Sequence, residues 1–296
     1  RMADETPERL SPEDAFDLVA SEARFDILQS LWELGQNEDV EPPVSFSTLH
    51  DATDVRDSGQ FNYHLDTLTP RFVRNVDEGY DLTYAGTQVV GAAVSGVYTA
   101  ADVESVDPMA VGACPECDGT IEAGYGEGHI AIECNACDLT ITDMPAPPVL
   151  AATYDDEDLP LMFSRRLIAN VQEMNAGFCT LCGGGVDGDL DRSFSDEVET
   201  DQPRLGLTWT CRACGAEMNG VAGAAVVDHP AVVAFLHDHG VDLAETYLWE
   251  LDWLFDAHAT VTSEDPLRVA ITVAYEDDAL ELVLDENLDV VATERV

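Results

Sequence analysis

Lysine is missing from all 296 residues: the 13 basic side chains are all arginine, against 59 acids and a formal net charge of −46. An acid excess of this size with no lysine points to a cytoplasm of molar salt, where carboxylates stay hydrated and mutually screened. No run of 18 apolar residues occurs, which argues against a membrane span. No Arg lies between Arg74 and Arg165, while residues 75–164 carry 17 acids, so that stretch offers little to a phosphate backbone. No His-x-Glu, His-Glu-x-x-His, Gly-x-Ser-x-Gly or phosphate-loop pattern is present, and the chain is expected not to be an enzyme. No cysteine precedes Cys114. What is abundant is apolar: 46% hydrophobic residues, too many for an acidic disordered tail.

All eight cysteines fall in four Cys-x-x-Cys pairs: Cys114/Cys117, Cys134/Cys137, Cys179/Cys182 and Cys211/Cys214. The first two pairs are separated by 16 residues, the last two by 28, and the two groups by 41. Each group supplies four thiolates from two short turns, the donor set of a structural tetrahedral zinc site. Disulfides fit less well, since no secretory leader is visible and the chain is not a short secreted one. A thioredoxin-like redox pair needs one such motif, not four. A closed four-cysteine shell also leaves no open position for a catalytic water. Two structural zinc ions per chain are therefore expected, in zinc ribbons over residues 112–143 and 178–220.

Ahead of the cysteines, Ser11-Pro12-Glu13-Asp14 caps a helix predicted to run over residues 11–34, ended by Gly35. A short helix follows from Ser47. A second opens at Asp57 or Ser58 and reaches Leu68, with Phe61, Leu65 and Leu68 as its buried stripe. Phe72–Val76 and Tyr80–Tyr84 flank Asp77-Glu78-Gly79 as a hairpin. Ala85 to Thr99 returns to helix, rich in small residues. Helix, helix, turn, helix, hairpin, helix is the order of a winged helix-turn-helix over residues 10–100. The window from Val55 to Val76 is locally net positive, with Arg56, Arg71 and Arg74 against Asp57 and Asp66. Arg56, Ser58, Gln60, Asn62, Tyr63, Arg71 and Arg74 are the candidate contacts to double-stranded DNA. His64 abuts the buried stripe and reads as a core histidine.

Tyr63-His64-Leu65-x-x-Leu68, then Phe72-Val73-Arg74 and Gly79-Tyr80-x-Leu82-Thr83-x-x-Gly86, resembles the ArsR-like winged-helix regulators, in particular their haloarchaeal members. The resemblance covers about residues 10–100. It implies that the Ser58–Leu68 helix reads DNA, that Phe72–Leu82 is the wing, and that the first and last helices build a homodimer. Metal-sensing members carry cysteines on or near the DNA-binding helices. This chain has none there, so metal sensing in the winged helix is not expected.

Residues 100–113 read as a linker, and Gly124 to Gly128 as the turn between the strands of the first ribbon. His129 reads as a strand residue. A connecting helix is expected over residues 155–176. Arg204 and Arg212 in the second ribbon read as partners of local carboxylates. Residues 228–296 read as an antiparallel α+β domain: a helix from Asp228 to Gly240, a second from Leu243 to Leu248, a strand-like run from Trp249 to Val261, then three strands. The expectation is thus an α+β chain with a winged helix-turn-helix, two four-cysteine zinc ribbons and a C-terminal α+β domain. As a function it suggests a cytoplasmic DNA-binding transcription regulator. The ribbon region would contact a partner or effector, such as a transcription-machinery protein, and no membrane. Two other readings stay open: an adaptor using the same modules for protein docking, and a zinc enzyme.

Overall fold

The computed structural model describes residues 10–77, 79–98, 105–191, 205–255 and 259–296. The chain is α+β with four antiparallel sheets among those residues. It divides into two compact units, Arg1–Asp102 with Pro147–Leu150, and Val103–Ala146 with Ala151–Val296.

The first unit runs α1 (Pro12–Val19), α2 (Glu22–Gly35), α3 (Phe46–Ala52), α4 (Ser58–Leu68), β1 (Val73–Val76), β2 (Gly79–Leu82) and α5 (Tyr84–Val94). Four of its five helices begin in the same local way. A side-chain oxygen of Ser11, Ser45, Asp57 or Thr83 accepts the backbone N–H three residues on, at 2.8–3.1 Å. Each such cap contributes about 1 kcal/mol. The single helix expected over residues 11–34 is two. Ala20 leaves the helical region at ψ 56°, and Ser21 restarts the chain by accepting the N–H groups of Arg24 and Phe25. The last helix stops at Val94, and Thr99 lies outside the described residues. The hairpin pairs Val73 with Leu82 and Arg74 with Asp81; Glu78 of its turn lies outside the described residues. Tyr80 also bridges to Val44. The core joins Ile27, Leu28, Leu31, Leu49, Phe61, Leu65, Leu68 and Val90. Phe46 packs edge-on against Phe61 at 5.0 Å.

The second unit begins where a linker was expected. Residues 106–113 form β3 (Val106–Ala113), the edge strand of a sheet ordered β3-β4-β5-β6. Pro108 fits there because an edge strand needs no N–H from it, and the register shifts on either side of Met109 and Ala110. The other strands are β4 (Thr120–Gly126), β5 (His129–Cys134) and β6 (Thr140–Pro145). Gly124 and Gly126 are strand residues, and the turn is Glu127-Gly128, both at positive φ. His129 opens β5 and sits 2.8 Å from Asp143. After a short α6 (Val149–Thr153) comes α7 (Leu159–Asn175), the spine of this unit. Its Phe163 lies against Tyr125 of β4. Its Ser164 accepts the Leu248 N–H at 2.8 Å, and Asn175 donates to Ala224 and Asp228.

The second cysteine group sits on β7 (Val186–Asp191), β8 (Gly206–Cys211) and β9 (Glu217–Val221). After a 3-10 turn at Ala222–Val226 come α8 (Pro230–Asp238), a 3-10 turn at Leu248–Glu250, α9 (Asp252–Phe255), and a meander of β10 (Ala259–Glu264), β11 (Leu267–Tyr275), β12 (Asp278–Leu284) and β13 (Val290–Arg295). The expected helix at Leu243–Leu248 and the strand-like run at Trp249–Val261 are overturned: Trp249 lies in a 3-10 turn, Asp252–Phe255 are helical, and the strand starts at Ala259. Trp249 and Trp253 are buried, and the Trp249 ring donates to the Val111 carbonyl. Aromatic residues at the start of that run suit a strand in sequence, but burial alone does not specify period; residues 256–258 lie outside the described ones. One core runs through Ile168 and Val171 of α7, Leu207 and Trp209 of β8, Phe235 of α8, and Val269, Ile271 and Leu282 of the last sheet. The three-stranded sheet of the second cysteine group and the C-terminal sheet therefore share one interior.

Candidate metal centres

The four knuckles have a common local build. The first cysteine of each donates its N–H to the carbonyl five residues on, Cys114 to Gly119, Cys134 to Leu139, Cys179 to Gly184 and Cys211 to Ala216, at 2.8–3.0 Å. Backbone N–H groups also turn towards the sulfurs: Glu116 to Cys114, Gly119 to Cys117, Ala136 to Cys134, Gly184 to Cys182, and both Ala213 and Cys214 to Cys211, at 3.2–3.5 Å.

The sequence grouping holds in space. Cys114, Cys117, Cys134 and Cys137 place their sulfurs within 4.8 Å of one another, as do Cys179, Cys182, Cys211 and Cys214. Cross-knuckle separations are 3.8 Å for Cys114–Cys137 and 3.6 Å for Cys117–Cys134, and again 3.8 Å for Cys179–Cys214 and 3.6 Å for Cys182–Cys211. A tetrahedron with metal–sulfur bonds of about 2.3 Å has edges of about 3.8 Å. The donor set and its spacing thus fit a single tetrahedral ion in each group. No other cluster of this kind occurs among the described residues. His229, His237 and His239 do not converge: His229 caps α8, and His239 faces the Phe235 carbonyl and Asp278.

Free of metal, the thiols of a group share charge unevenly. The Ala136 N–H, above all, holds Cys134 down at about 7. The Leu139 N–H favours the Cys137 thiolate, but burial and neighbouring sulfurs outweigh it and push Cys137 up to about 12. The N–H groups of Cys214 and Ala213 hold Cys211 at about 6. Cys182, in spite of the Gly184 N–H, is pushed up to about 12 by the sulfurs of Cys214 and Cys211. Cys117 is raised too, the Gly119 N–H being outweighed by burial and Cys134. Four thiols this close cannot all ionise alone, and a dication removes that restriction.

Two residues in each group escaped the sequence reading. A Cβ on Gly119 would come within 2.7 Å of the Ala136 Cβ and 2.8 Å of the Cys134 sulfur; on Gly184 it would come within 2.8 Å of the Ala213 Cβ and 3.2 Å of the Cys182 and Cys211 sulfurs. Small residues at these points let the knuckles close. The signal was legible: Cys-x-x-Cys-x-Gly in the first knuckle of each group, Cys-x-Ala-Cys in the second. Gly119→Ala and Gly184→Ala are each expected to lower metal affinity at their own site by about tenfold or more. Competition with a chelator of known affinity measures this, and unchanged affinity in both variants refutes the closure argument.

The seven residues expected to contact DNA lie on or beside α4 and β1. Arg56, Ser58, Gln60, Asn62 and Tyr63 are exposed, Tyr63 at 64%. Asn62 is already engaged, donating to Asp66 at 2.9 Å. Arg74 forms a two-pronged ion pair with Asp81 across the hairpin. Arg71 is half-buried. His64 is half-buried too, with its Nδ1 buried and without a hydrogen-bond partner among the described residues. Arg212 lies 3.7 Å from Asp187, as expected of a satisfied surface arginine, whereas Arg204 falls outside the described residues.

A family model described as a domain of unknown function, DUF7351, matches residues 111–290. The chain belongs to the DUF7351 family. A second model, DUF7347, also described as a domain of unknown function, matches residues 12–93. No curated protein and no solved structure matches the chain. The DUF7351 segment holds all eight cysteines and runs from the end of β3 to the start of β13, so both metal-binding groups and the C-terminal sheet belong to one family domain. The DUF7347 match spans α1 to α5. No helix among the described residues of this DUF7351 protein is long and apolar enough to cross a membrane.

Proposed function

We propose that the chain is a DNA-binding transcription regulator of a salt-rich cytoplasm, with two structural zinc ions in its DUF7351 region. The N-terminal unit is read as a winged helix-turn-helix: α3 and α4 as the helix pair, β1–β2 as the wing. The observation that carries this reading is the two-sidedness of α4. Phe61, Leu65 and Leu68 are fully buried, while Ser58, Gln60 and Tyr63 are exposed as a face of polar groups and one aromatic ring, beside Asn62, whose amide donates to Asp66. Arg56, at the head of α4, is the cation best suited to a phosphate, because Arg74 is held by Asp81. Zinc is favoured over other ions because four thiolates in a closed tetrahedron suit it. The homodimer reading is supported by apolar side chains left exposed on α1 and at and after α5: Phe16, Tyr84, Val94, Val97 and Tyr98. Two-fold operators match a dimer of such units.

DNA binding here has an unusual salt requirement. Cationic proteins lose affinity as salt rises because binding releases condensed counterions. A chain of net charge −46 must instead trap cations between its carboxylates and the phosphates. High salt also screens the repulsion to roughly 3 Å at 1 M. Log affinity plotted against log KCl is therefore expected to be shallow or rising. Gln60→Ala should flatten discrimination between sites, and Arg56→Ala should weaken all sequences alike. Arg74→Ala should change little, since its partner is already in the chain. Selection from a random DNA pool in molar KCl, followed by titration across KCl concentrations, tests this. No selected sequence, or a steep loss of affinity toward molar salt, defeats the reading.

The adaptor reading draws support from one place. Phe178 and Leu181 stand 56% and 77% exposed at the knuckle of Cys179 and Cys182, which suits contact with another protein. That contact is compatible with DNA binding by the other unit, and a transcription-machinery protein is the class of partner it would serve.

A further inference from the structure

The two cysteine groups share one build but not one exposure. In the first, Cys117 and Cys137 are half-buried; in the second, Cys182 and Cys214 are exposed. The N–H donors differ as well. Cys117 and Cys137 are each approached by a backbone N–H, from Gly119 and Leu139. Cys182 takes the Gly184 N–H, and Cys211 takes two. Among the described residues no backbone N–H is directed at the Cys214 sulfur, whose own N–H is turned to Cys211. An N–H···S bond occupies lone-pair density on a thiolate and so blunts its attack on an electrophile, while exposure admits the electrophile. Cys214 alone combines exposure with the lack of that bond, and its cross-knuckle neighbour, 3.8 Å away, is the buried Cys179.

We propose that Cys214 is a hydroperoxide-sensitive modification site, and that its oxidation discharges the second metal ion by forming a Cys179–Cys214 disulfide. This rests on the zinc reading above. The Cys214 thiolate attacks the outer oxygen of a hydroperoxide; an S–O bond forms, the O–O bond breaks, and the alkoxide or hydroxide leaves with a proton from water. The Cys179 thiolate then attacks the Cys214 sulfur. The S–S bond forms, the S–O bond breaks, and hydroxide departs. Two thiolates lose two electrons in all, and one hydroperoxide is reduced to an alcohol or water. The ion, left with Cys182 and Cys211, dissociates. The new bond keeps the segment after α7 tied to the second knuckle, so release leaves this corner linked and a thiol reductant restores the site. The first group, less exposed and with N–H groups on both outer sulfurs, keeps its ion.

The test uses the full chain loaded with zinc in molar KCl. Zinc content is measured first, then hydrogen peroxide is added in stoichiometric amount while a chromogenic chelator reports release. Disulfides are mapped by mass spectrometry after alkylation. The expected result is a fast phase releasing one of the two ions, about tenfold faster than the other, with Cys179–Cys214 as the bond formed and reversal by dithiothreitol. In Cys214→Ser protein that still holds two ions, the fast phase should slow by about tenfold. If that variant does not hold its ion, the disulfide map of the unaltered chain decides. Release from the first group first, equal rates, or a Cys182–Cys211 bond overturns the proposal. A starting content below two zinc ions per chain would overturn the metal reading itself, a different failure.

Discussion

Stripping both ions with a strong chelator is expected to unfold the unit that follows residue 103 while the N-terminal unit stays folded. Metal bound only by the folded chain adds its binding free energy to stability, and for four-thiolate zinc this rivals the roughly 5–15 kcal/mol that holds an ordinary domain together. The second site has the greater leverage. Cys179 follows α7 within a few residues, and Cys211 ends β8, whose Leu207 and Trp209 sit in the shared core. Without the ion, nothing binds the four sulfurs together at two ends of that core. The N-terminal unit contains no cysteine and has its own interior around Phe61 and Leu65. Hydrogen exchange with and without chelator should show protection lost over β4–β12 and kept over α2–α5. Equal protection in both states would mean the ions are not structural.

Acid should act in the same direction. The loaded site holds four thiolates, so protons compete with the metal and affinity falls as pH falls. In the empty groups backbone N–H groups hold Cys211 down at about 6 and Cys134 at about 7. Below those values these two thiols are protonated as well, and the metal must displace more protons there.

Gly86→Ala is expected to destabilise the N-terminal unit by about 3 kcal/mol, at the upper end for overpacking. Gly86 lies in the first turn of α5, where its N–H meets the capping Thr83. In an open helix, alanine for glycine gains up to about 1 kcal/mol. Here the added Cβ would fall 2.2 Å from the Phe72 carbonyl oxygen and 3.0 Å from Leu82. Backbone cannot step aside as a side-chain tip can, so either the hairpin or α5 must move. Gly91→Ala in the same helix has nothing among the described residues within 4 Å of its new Cβ, and should stabilise slightly. Thermal unfolding of the two variants in the same salt makes the comparison. A Gly86→Ala protein as stable as Gly91→Ala would show that α5 does not pack tightly on the Phe72 backbone.

Much of the candidate site was legible because its determinants are local. A Cys-x-x-Cys turn, a carbonyl five residues on and a cap three residues ahead involve short stretches of chain, and the residues that make them stand together in the sequence. The pairing of cysteines into two groups followed from spacing, and α3, α4 and the β1–β2 hairpin from periodicity and turn residues. Other features were settled by groups far apart in the chain. Residues 106–113 read as linker because Pro108 signals a break, yet an edge strand tolerates it once β4 lies alongside. Arg74 and Asn62 look free in sequence, but Asp81 and Asp66 are brought onto them by the hairpin register and the helical turn. The second ribbon and the C-terminal sheet read as separate domains because each has its own motif. They share one interior because Ile168 and Val171 of α7, Leu207 and Trp209 of β8, and Val269 and Leu282 of the last sheet all lie in the same core. By itself the sequence determined the candidate ligands, their grouping and the local caps. The tertiary structure alone decided which polar groups were already satisfied, which sulfurs were exposed and where one core ended, since burial depends on neighbours that spacing along the chain does not reveal.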